Sequence, residues 1–190
     1  MQEITLIRHG KTAGNSEKRY IGLTDEHMTF DGKQEIRMRH YPEADIVFSS
    51  PMHRCIRTAE IIYPSADIIV IDELKETDFG RFEGKNYTEL ADDPEYISWI
   101  ESGGEDPFPG GESRMQAEQR VMIGFNRLLE LSGDSKKISA IVHGGTIMAI
   151  LSRIFKGEYY SYHVENGEGY TFDLSCDGIY SGLYTRSFLR

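Results

Sequence analysis

The amino-acid sequence predicts an α/β fold, a three-layer sandwich in which helices flank a mainly parallel central sheet. Short apolar runs rich in β-branched residues alternate along the chain with segments of helical periodicity, an order typical of strand–helix–strand units. Most of these runs are apolar throughout, as in strands that are covered on both faces. Because 190 residues is an ordinary length for one domain, we expect a single domain over 1–190.

The expected elements follow one another from the first residues to the last. Strands are predicted over 3–8, 45–50, 67–71, 138–145 (strand then turn), 169–174 and 179–185, and helices over 31–40, 51–63, 94–101, 112–131 and 145–156. A loop rich in Gly, Asn and Thr separates the first strand from the first helix, over 10–31.

Capping residues and prolines set the predicted helix bounds in the first half of the chain. Asp31 is a good N-cap for the helix that Pro42 later interrupts. Ser50 and Pro51 suit the N-cap and first turn of the next helix, which Tyr63-Pro64 should end.

A segment over about 86–111 departs from the regular alternation. It is rich in Gly, Pro and acidic residues, and we expect an irregular excursion with one short helix that acts as a lid. Its large aromatic side chains either anchor the lid to the core or offer flat faces to a substrate base. They are Tyr87, Tyr96, Trp99 and Phe108.

Charge and composition exclude some partners. With 21 Lys and Arg against 31 Asp and Glu, the net charge of −10 disfavours binding to nucleic acid or to an anionic membrane. No apolar run reaches the roughly 18–20 residues of a membrane span, and no secretory signal pattern is visible. Cys55 and Cys176 form no zinc or disulfide pattern. We therefore expect a cytoplasmic monomer or homodimer that binds a small molecule.

Chemically active side chains follow the predicted strands. Arg8 and His9 end the first strand, Arg54 lies in the first turn of a helix, and Glu76 and His143 follow later strands. Ligands of parallel sheets bind beyond the carboxyl ends of the strands, so these side chains could meet in one crevice. A neutral imidazole can attack phosphorus if its second nitrogen is held by an acceptor, and arginine forks pair with phosphate oxygens.

Each of these residues alone also fits an ordinary role. A histidine after a strand is more often structural, and an arginine on a helix more often faces solvent. Several neighbouring acids compete with Glu76 for the role of a proton donor. They are Asp72, Glu73, Asp78 and Glu83.

The order of several motifs is more specific than any of them singly. The segments are R-H-G-K-T-A-G-N (8–15), G-L-T-D-E-H-M-T-F-D-G-K-Q (22–34), S-P-M-H-R-C-I-R-T-A (50–59), L-K-E-T-D-F-G-R-F-E-G (74–84), P-G-G-E-S (109–113) and V-H-G-G (142–145). Together they resemble the histidine phosphatase superfamily, which includes cofactor-dependent phosphoglycerate mutases and many small phosphatases. The resemblance runs nearly end to end and implies a phosphoglycerate mutase-like fold.

The resemblance also implies roles for single residues. His9 would be the phosphorylated nucleophile, and Glu76 the proton donor that later activates water. The phosphate pocket would consist of Arg8, Arg54 and His143. Substrate-binding candidates are Asn15, the Gly144 amide, Gly22 and Lys11. No metal ion and no cofactor is required, because fixed cationic donors can stabilise the phosphoryl group.

Three residues depart from the family pattern. Lys11 replaces a usual acidic residue and could favour an additional anionic group on the substrate. Phe82 stands where tryptophan is common, which changes packing more than chemistry. Met148 stands where many relatives carry arginine, so we do not expect the outer contact that this arginine makes.

Hydrolysis is the expected reaction. A mutase must protect its phosphoenzyme from water, and mutases of this family tend to be longer. The acid loop and the short lid resemble those of α-ribazole phosphatases, so α-ribazole 5′-phosphate is the expected substrate. Phosphoglycerate mutase-type transfer and a broad-specificity sugar or nucleotide phosphatase remain alternatives. The sequence argues against a binding module without turnover, because both histidines, the acid and both arginines are retained. It also argues against a metal-dependent hydrolase, because no Asp or His ligands are spaced as a recognisable set.

Overall fold

Six strands of the computed structural model, which describes residues 1–186 and 188, form one central sheet. They are β1 (Gln2–Arg8), β2 (Ile46–Ser49), β3 (Ile68–Val70), β4 (Lys137–Val142), β5 (Gly169–Leu174) and β6 (Tyr180–Arg186). The order across the sheet is β3-β2-β4-β1-β5-β6. The first four of these are joined in parallel, and β5 and β6 add antiparallel pairings at one edge. The predicted α/β class with a mainly parallel sheet is confirmed.

Helices cover both faces of the sheet. The α-helices of the described residues are, in chain order, α1 (Ala13–Ser16), α2 (Phe30–Met38), α3 (His53–Ile62), α4 (Pro94–Glu101), α5 (Arg114–Ser132) and α6 (Gly144–Phe155). Side chains alternate along each strand, so Leu6 packs in the core beneath α5 and α6 while Ile7 packs in the core beneath α3. None of the described helices combines the length and apolarity needed to cross a lipid bilayer.

A third apolar cluster lies under the segment predicted as a lid. Tyr96 and Trp99 of α4 pack with Phe108, and all three are buried against Phe82 and Leu90. The Trp99 ring stacks on Phe108 with centroids 4.8 Å apart. The aromatic side chains at these three positions therefore anchor the segment, whereas Tyr87 is exposed.

Several predicted bounds are wrong for identifiable reasons. Helix α3 begins at His53 rather than at Pro51: its N-cap is Met52, and the Ser50 side chain, which contacts His143 and the Met52 amide, lies before the helix. Thr29 rather than Asp31 caps α2, and accepts from the Gly32 amide.

Two further differences concern a short helix and an edge strand. The expected loop over 10–31 contains α1, which a capping box between Thr12 and Asn15 stabilises. Strand β3 is at the edge of the sheet with Val70 exposed, so it is not covered on both faces as predicted. A continuous apolar run does not distinguish an edge strand from a central one.

Candidate active site

The carboxyl ends of three adjacent parallel strands carry the central residues. β2, β4 and β1 are neighbours, and Ser50, His143 and His9 directly follow them. The His9 amide donates to the Val142 carbonyl at 3.0 Å, and the Ser50 amide donates to the Ile141 carbonyl at 3.0 Å. Strand register therefore places all three side chains at one edge of the sheet.

His9 is held in a defined tautomer. Its Nδ1 lies 2.9 Å from the Gly10 carbonyl oxygen, and because a carbonyl only accepts, Nδ1 carries the hydrogen and Nε2 keeps its lone pair. The side chain is buried. Burial, and then the charges of Arg54 and Arg8, hold the pKa of His9 well below its usual 6.5. The imidazole is neutral at physiological pH.

His143 lies beside His9 at the start of α6. The two ring centroids are 5.2 Å apart and the planes are inclined by 66°. His143 is fully buried, and its Nε2 lies 2.7 Å from the Ser50 hydroxyl. Burial, then Arg54, and then the other groups of the site lower its pKa well below the usual value as well.

Arg54 is a fully buried cation held by main-chain carbonyls. It lies in the first turn of α3, and its guanidinium donates to the carbonyls of Thr24 at 2.8 Å and Gly22 at 2.9 Å. Glu83 fixes the same loop by accepting from the amides of Gly22 and Thr24. The dipoles of these carbonyls therefore orient the Arg54 guanidinium. Among the described residues, no carboxylate forms an ion pair with Arg54. Arg57 is a half-exposed residue paired with Glu60, as expected of a surface position.

Arg8 lies against the first residues of α6. Its Nη1 donates to the Val164 carbonyl at 2.7 Å. A Cβ atom placed on Gly144 would lie 3.5 Å from the Arg8 guanidinium carbon, so this cation lies next to the helix N-terminus. Helix N-termini carry partial positive charge and free amides, and two cations near them create a field suited to an anion.

Glu76 is the acid that reaches this edge of the sheet. The carboxyl group is buried; one oxygen accepts from its neighbouring Thr77 amide at 2.9 Å, and the other accepts from the Gly145 amide at 3.2 Å. Since Gly145 is in the first turn of α6, Glu76 lies on the same helix start as His143 and Arg8.

The other predicted residues contribute in different ways. The side-chain oxygen of Asn15 accepts from the Asn166 amide at 3.1 Å and so is engaged within the protein. Lys11 lines a cleft of about 590 Å³ that also contains Asn15 and Arg8. Gly22 uses its carbonyl and amide for Arg54 and Glu83, and it lines neither this cleft nor the cavity described next.

An apolar cavity of about 280 Å³ adjoins Glu76 and Arg8. Aromatic side chains from the 86–111 segment, the acid loop and the turn after α6 contribute to its lining, together with the charged groups of Arg8, Glu76 and Arg114. The lining side chains include Tyr20, Phe79, Trp99, Phe108, Met148, Tyr159 and Tyr160. Arg114 lies over the Tyr159 ring, 5.5 Å from its centroid.

The model of the histidine phosphatase superfamily (branch 1) matches residues 4–179. The chain belongs to the histidine phosphatase superfamily. Members of this superfamily are phosphatases or mutases.

Individual relatives of this superfamily member carry different names. It is 32% identical over 163 residues to the "Probable phosphoglycerate mutase GpmB" of Salmonella paratyphi C, covering 81% of this chain and 75% of the relative. A phosphoserine phosphatase of Entamoeba histolytica in complex with phosphoserine is similar with a TM-score of 0.82 and 26% identity, covering 99% of this chain and 98% of the other. The alpha-ribazole phosphatase of Shigella flexneri shares the fold, with a TM-score of 0.86 at 21% identity over 99% and 98% of the two chains.

Several residues that support the candidate site were not predicted from the sequence. Thr58 accepts from the Gly10 amide at 2.9 Å, and Asn166 donates to the His9 carbonyl at 3.0 Å. Arg120 of α5 donates to the carbonyls of Glu73, Lys75 and Glu76 and so braces the acid loop. Thr58 lies inside a motif singled out above, but no local signal marks Asn166 or Arg120.

Proposed function

We propose that this histidine phosphatase is a phosphomonoester hydrolase that acts through a covalent phosphohistidine at His9. A single observation carries the proposal: a neutral imidazole with a free Nε2 lone pair lies beside a second imidazole, close to two buried or partly buried guanidiniums. A lone pair on neutral nitrogen is the nucleophile that phosphoryl transfer needs.

The first step transfers the phosphoryl group to the protein. His9 Nε2 forms a bond to phosphorus while the bond between phosphorus and the ester oxygen breaks. Glu76 supplies a proton to the leaving alkoxide, which departs as the alcohol. Negative charge on the three equatorial oxygens is stabilised by Arg8, Arg54 and His143.

The second step returns the enzyme to its starting state. Water attacks phosphorus, the bond to His9 Nε2 breaks, and Glu76 takes a proton from the water. Inorganic phosphate leaves, and the imidazole again carries a free lone pair. Neither step needs a metal ion or cofactor, since the cations that stabilise the phosphoryl group belong to the chain itself.

The substrate that we propose is α-ribazole 5′-phosphate. The cavity next to Glu76, which is where a leaving group would lie, has a predominantly apolar surface to which six aromatic side chains and Met148 contribute. A flat base gains free energy from burial against such surfaces. The serine and glycerate groups of phosphoserine and 3-phosphoglycerate are small and charged, so they match these apolar surfaces less well. Arg114, a cation that lines the same cavity, already lies close to Glu105 and Glu118 and is less available to a substrate carboxylate.

Hydrolysis of p-nitrophenyl phosphate tests the reaction class. We expect turnover that survives EDTA and is lost in His9→Ala, whereas a variant of the exposed His40, His40→Ala, keeps wild-type activity. Loss of activity on chelation would contradict the mechanism. Rapid-quench experiments with ³²P-labelled substrate should trap label on the wild-type protein in an acid-labile, base-stable form, as expected of phosphohistidine.

A kinetic comparison tests the substrate and the mutase alternative. We expect kcat/KM for α-ribazole 5′-phosphate to exceed those for phosphoserine and 3-phosphoglycerate by about 10³, which equals about 4 kcal/mol of transition-state binding. Conversion of 3-phosphoglycerate to 2-phosphoglycerate faster than phosphate release would favour the mutase instead.

A further inference from the structure

Two groups contact the buried Nε2 atom of His143. The Ser50 hydroxyl oxygen lies at 2.7 Å and the Cys55 sulfur at 3.5 Å, and all three side chains are fully buried. The sulfur also lies 3.8 Å from Nδ1, so it approaches both ring nitrogens and does not distinguish them. Ser50 directly follows β2, and Cys55 lies in the first turn of α3. The mechanism above assigns neither of them a role.

The direction of the Ser50 bond decides which nitrogen of His143 carries hydrogen. A hydroxyl has one hydrogen to donate and two lone pairs. The Ser50 oxygen already accepts from the Met52 amide at 3.4 Å. The Cys55 thiol has its own acceptor, the Val142 carbonyl at 3.6 Å. The Ser50 hydroxyl also interacts with Cys55, but a thiol sulfur is a weak acceptor, so the His143 Nε2 lone pair at 2.7 Å is the better acceptor for the Ser50 hydrogen.

We propose that Ser50 is a positioning residue that donates to Nε2 and holds His143 as the Nδ1–H tautomer, so that a neutral imidazole presents a donor to the phosphoryl oxygens. This inference rests on the proposed function, which places His143 at the phosphoryl group. With the opposite direction, Nε2–H would donate to Ser50 and the Nδ1 lone pair would face an anion. The bond that one ring nitrogen makes sets the state of the other.

The surroundings of His143 favour a neutral donor over an imidazolium. Arg54 and Arg8 already supply two positive charges, and a third buried charge among them is unfavourable. Burial and these arginines lower the pKa of His143 well below 6.5. A neutral imidazole can stabilise negative charge only through an N–H, and Nδ1 is the ring nitrogen that Ser50 does not occupy.

The two imidazoles of the site would then share one tautomer and use it in opposite ways. A carbonyl holds His9 with hydrogen on Nδ1, and its Nε2 lone pair is the nucleophile. A hydroxyl holds His143 with hydrogen on Nδ1, and that hydrogen is the donor. The identity of the partner, carbonyl or hydroxyl, decides which ring atom is left for the phosphoryl group.

Nitrogen-15 NMR of histidine-labelled protein tests the tautomer directly and needs no turnover. We expect the wild-type His143 resonances to report a protonated Nδ1 and an unprotonated Nε2 at pH 7. A protonated Nε2 would overturn the inference, even in an active enzyme. If the tautomer is as expected but the wild type hydrolyses no phosphomonoester, the proposed function fails and the geometric part of the inference stands.

Variants of the two neighbours separate positioning from packing. In Ser50→Ala we expect Nε2-protonated His143 to appear and kcat to fall at least tenfold, toward the 10²–10³ loss typical of a missing transition-state donor. Ser50→Thr keeps the hydroxyl and should restore the Nδ1–H signal and part of kcat. Cys55→Ala, the matched control, removes the longer contact and should keep the tautomer and stay within about threefold of wild-type kcat.

Two outcomes of these variants contradict the inference. Ser50→Ala with wild-type kcat would remove any role for the hydroxyl. Ser50→Ala with a lower kcat but an unchanged His143 tautomer would assign Ser50 a purely structural role. If Ser50→Ala does not fold, the wild-type spectrum and the Ser50→Thr variant still decide the question.

Discussion

The imidazole rings of His9 and His143 lie edge to face, with centroids 5.2 Å apart and planes inclined by 66°. Both histidines are buried, and burial is the largest cause that lowers the pKa of each. Two neutral imidazoles at this distance can share one phosphoryl group between them. The same burial should lower the folding stability of the protein at acid pH, because it disfavours the charged form of both rings.

The stability of the protein should fall as the pH decreases below about 6.5. In the unfolded chain both histidines bind protons near pH 6.5, whereas in the folded protein their lowered pKa keeps them neutral. The unfolded state then binds more protons, so the unfolding free energy decreases by up to about 1.4 kcal/mol per pH unit for each histidine. The contribution of the two histidines to the unfolding free energy is therefore complete above pH 6.5. It decreases as the pH falls from 6.5 toward the folded-state pKa.

Urea unfolding at pH 7 and pH 5.5 measures this effect. His143→Asn should show a smaller pH slope, and His40→Gln, which changes an exposed histidine, should keep the wild-type slope. An equal slope in His143→Asn and wild type would show that burial of this ring is not the source.

Glu76→Gln should slow the first step by removing the proton donor. For an alkyl phosphate we expect kcat to fall by about 10²–10⁴, the usual contribution of general acid catalysis. The loss should be smaller for p-nitrophenyl phosphate, because nitrophenolate leaves readily without a proton. Asp72→Asn changes an exposed acid of the same loop and serves as the control; equal losses with both substrates would contradict the role of Glu76.

Gly145→Ala should reduce activity without reducing stability. A Cβ atom at position 145 would lie 2.3 Å from a carboxylate oxygen of Glu76 and 3.3 Å from the Thr77 hydroxyl, so Glu76 must move. Alanine otherwise favours a helix over glycine by about 0.5–1 kcal/mol. We expect kcat to fall at least tenfold while the unfolding midpoint is unchanged or higher, and wild-type kcat would show that the carboxylate position is not critical.

Arg120→Met should both destabilise the protein and slow catalysis. Arg120 donates to both carboxylate oxygens of Glu112 at 2.7 Å and to three carbonyls of the loop that carries Glu76. Its removal takes both arginine bonds from the partly buried Glu112 carboxylate, which keeps only the Asp78 amide, and removes the donor to the Glu73 and Glu76 carbonyls. We expect this to cost about 2–4 kcal/mol. Denaturant unfolding and kcat measurements check this expectation.

A second arginine of α5 provides the control. Arg127 is more than half exposed and lies 3.7 Å from Glu73, so Arg127→Met should change the unfolding free energy by less than about 0.5 kcal/mol. Similar losses in both variants would mean that helix propensity or general charge, rather than the bracing of the loop, is responsible.

Local sequence patterns were sufficient to predict the strands of the sheet and the strand ends that carry the candidate catalytic side chains. Alternation of apolar runs and helical segments is a local pattern, and a histidine that directly follows such a run is carried to the carboxyl edge of a parallel sheet. The bounds of α4 and β5 match the predicted ranges for the same reason. The first residues of the helices were predicted less accurately, since a serine such as Ser50 can either cap a helix or bond a distant side chain.

Two features of the site could be seen only in the folded protein: which of the neighbouring acids reaches the histidines, and which groups bind each arginine. Asp72, Glu73, Asp78 and Glu83 resemble Glu76 in the sequence, yet of these five only Glu76 accepts from the first turn of α6. The carbonyls around Arg54, the brace from Arg120 and the partner of His143 are contacts between segments far apart in the chain. Burial and such contacts depend on how layers pack against each other, and local periodicity contains no record of them.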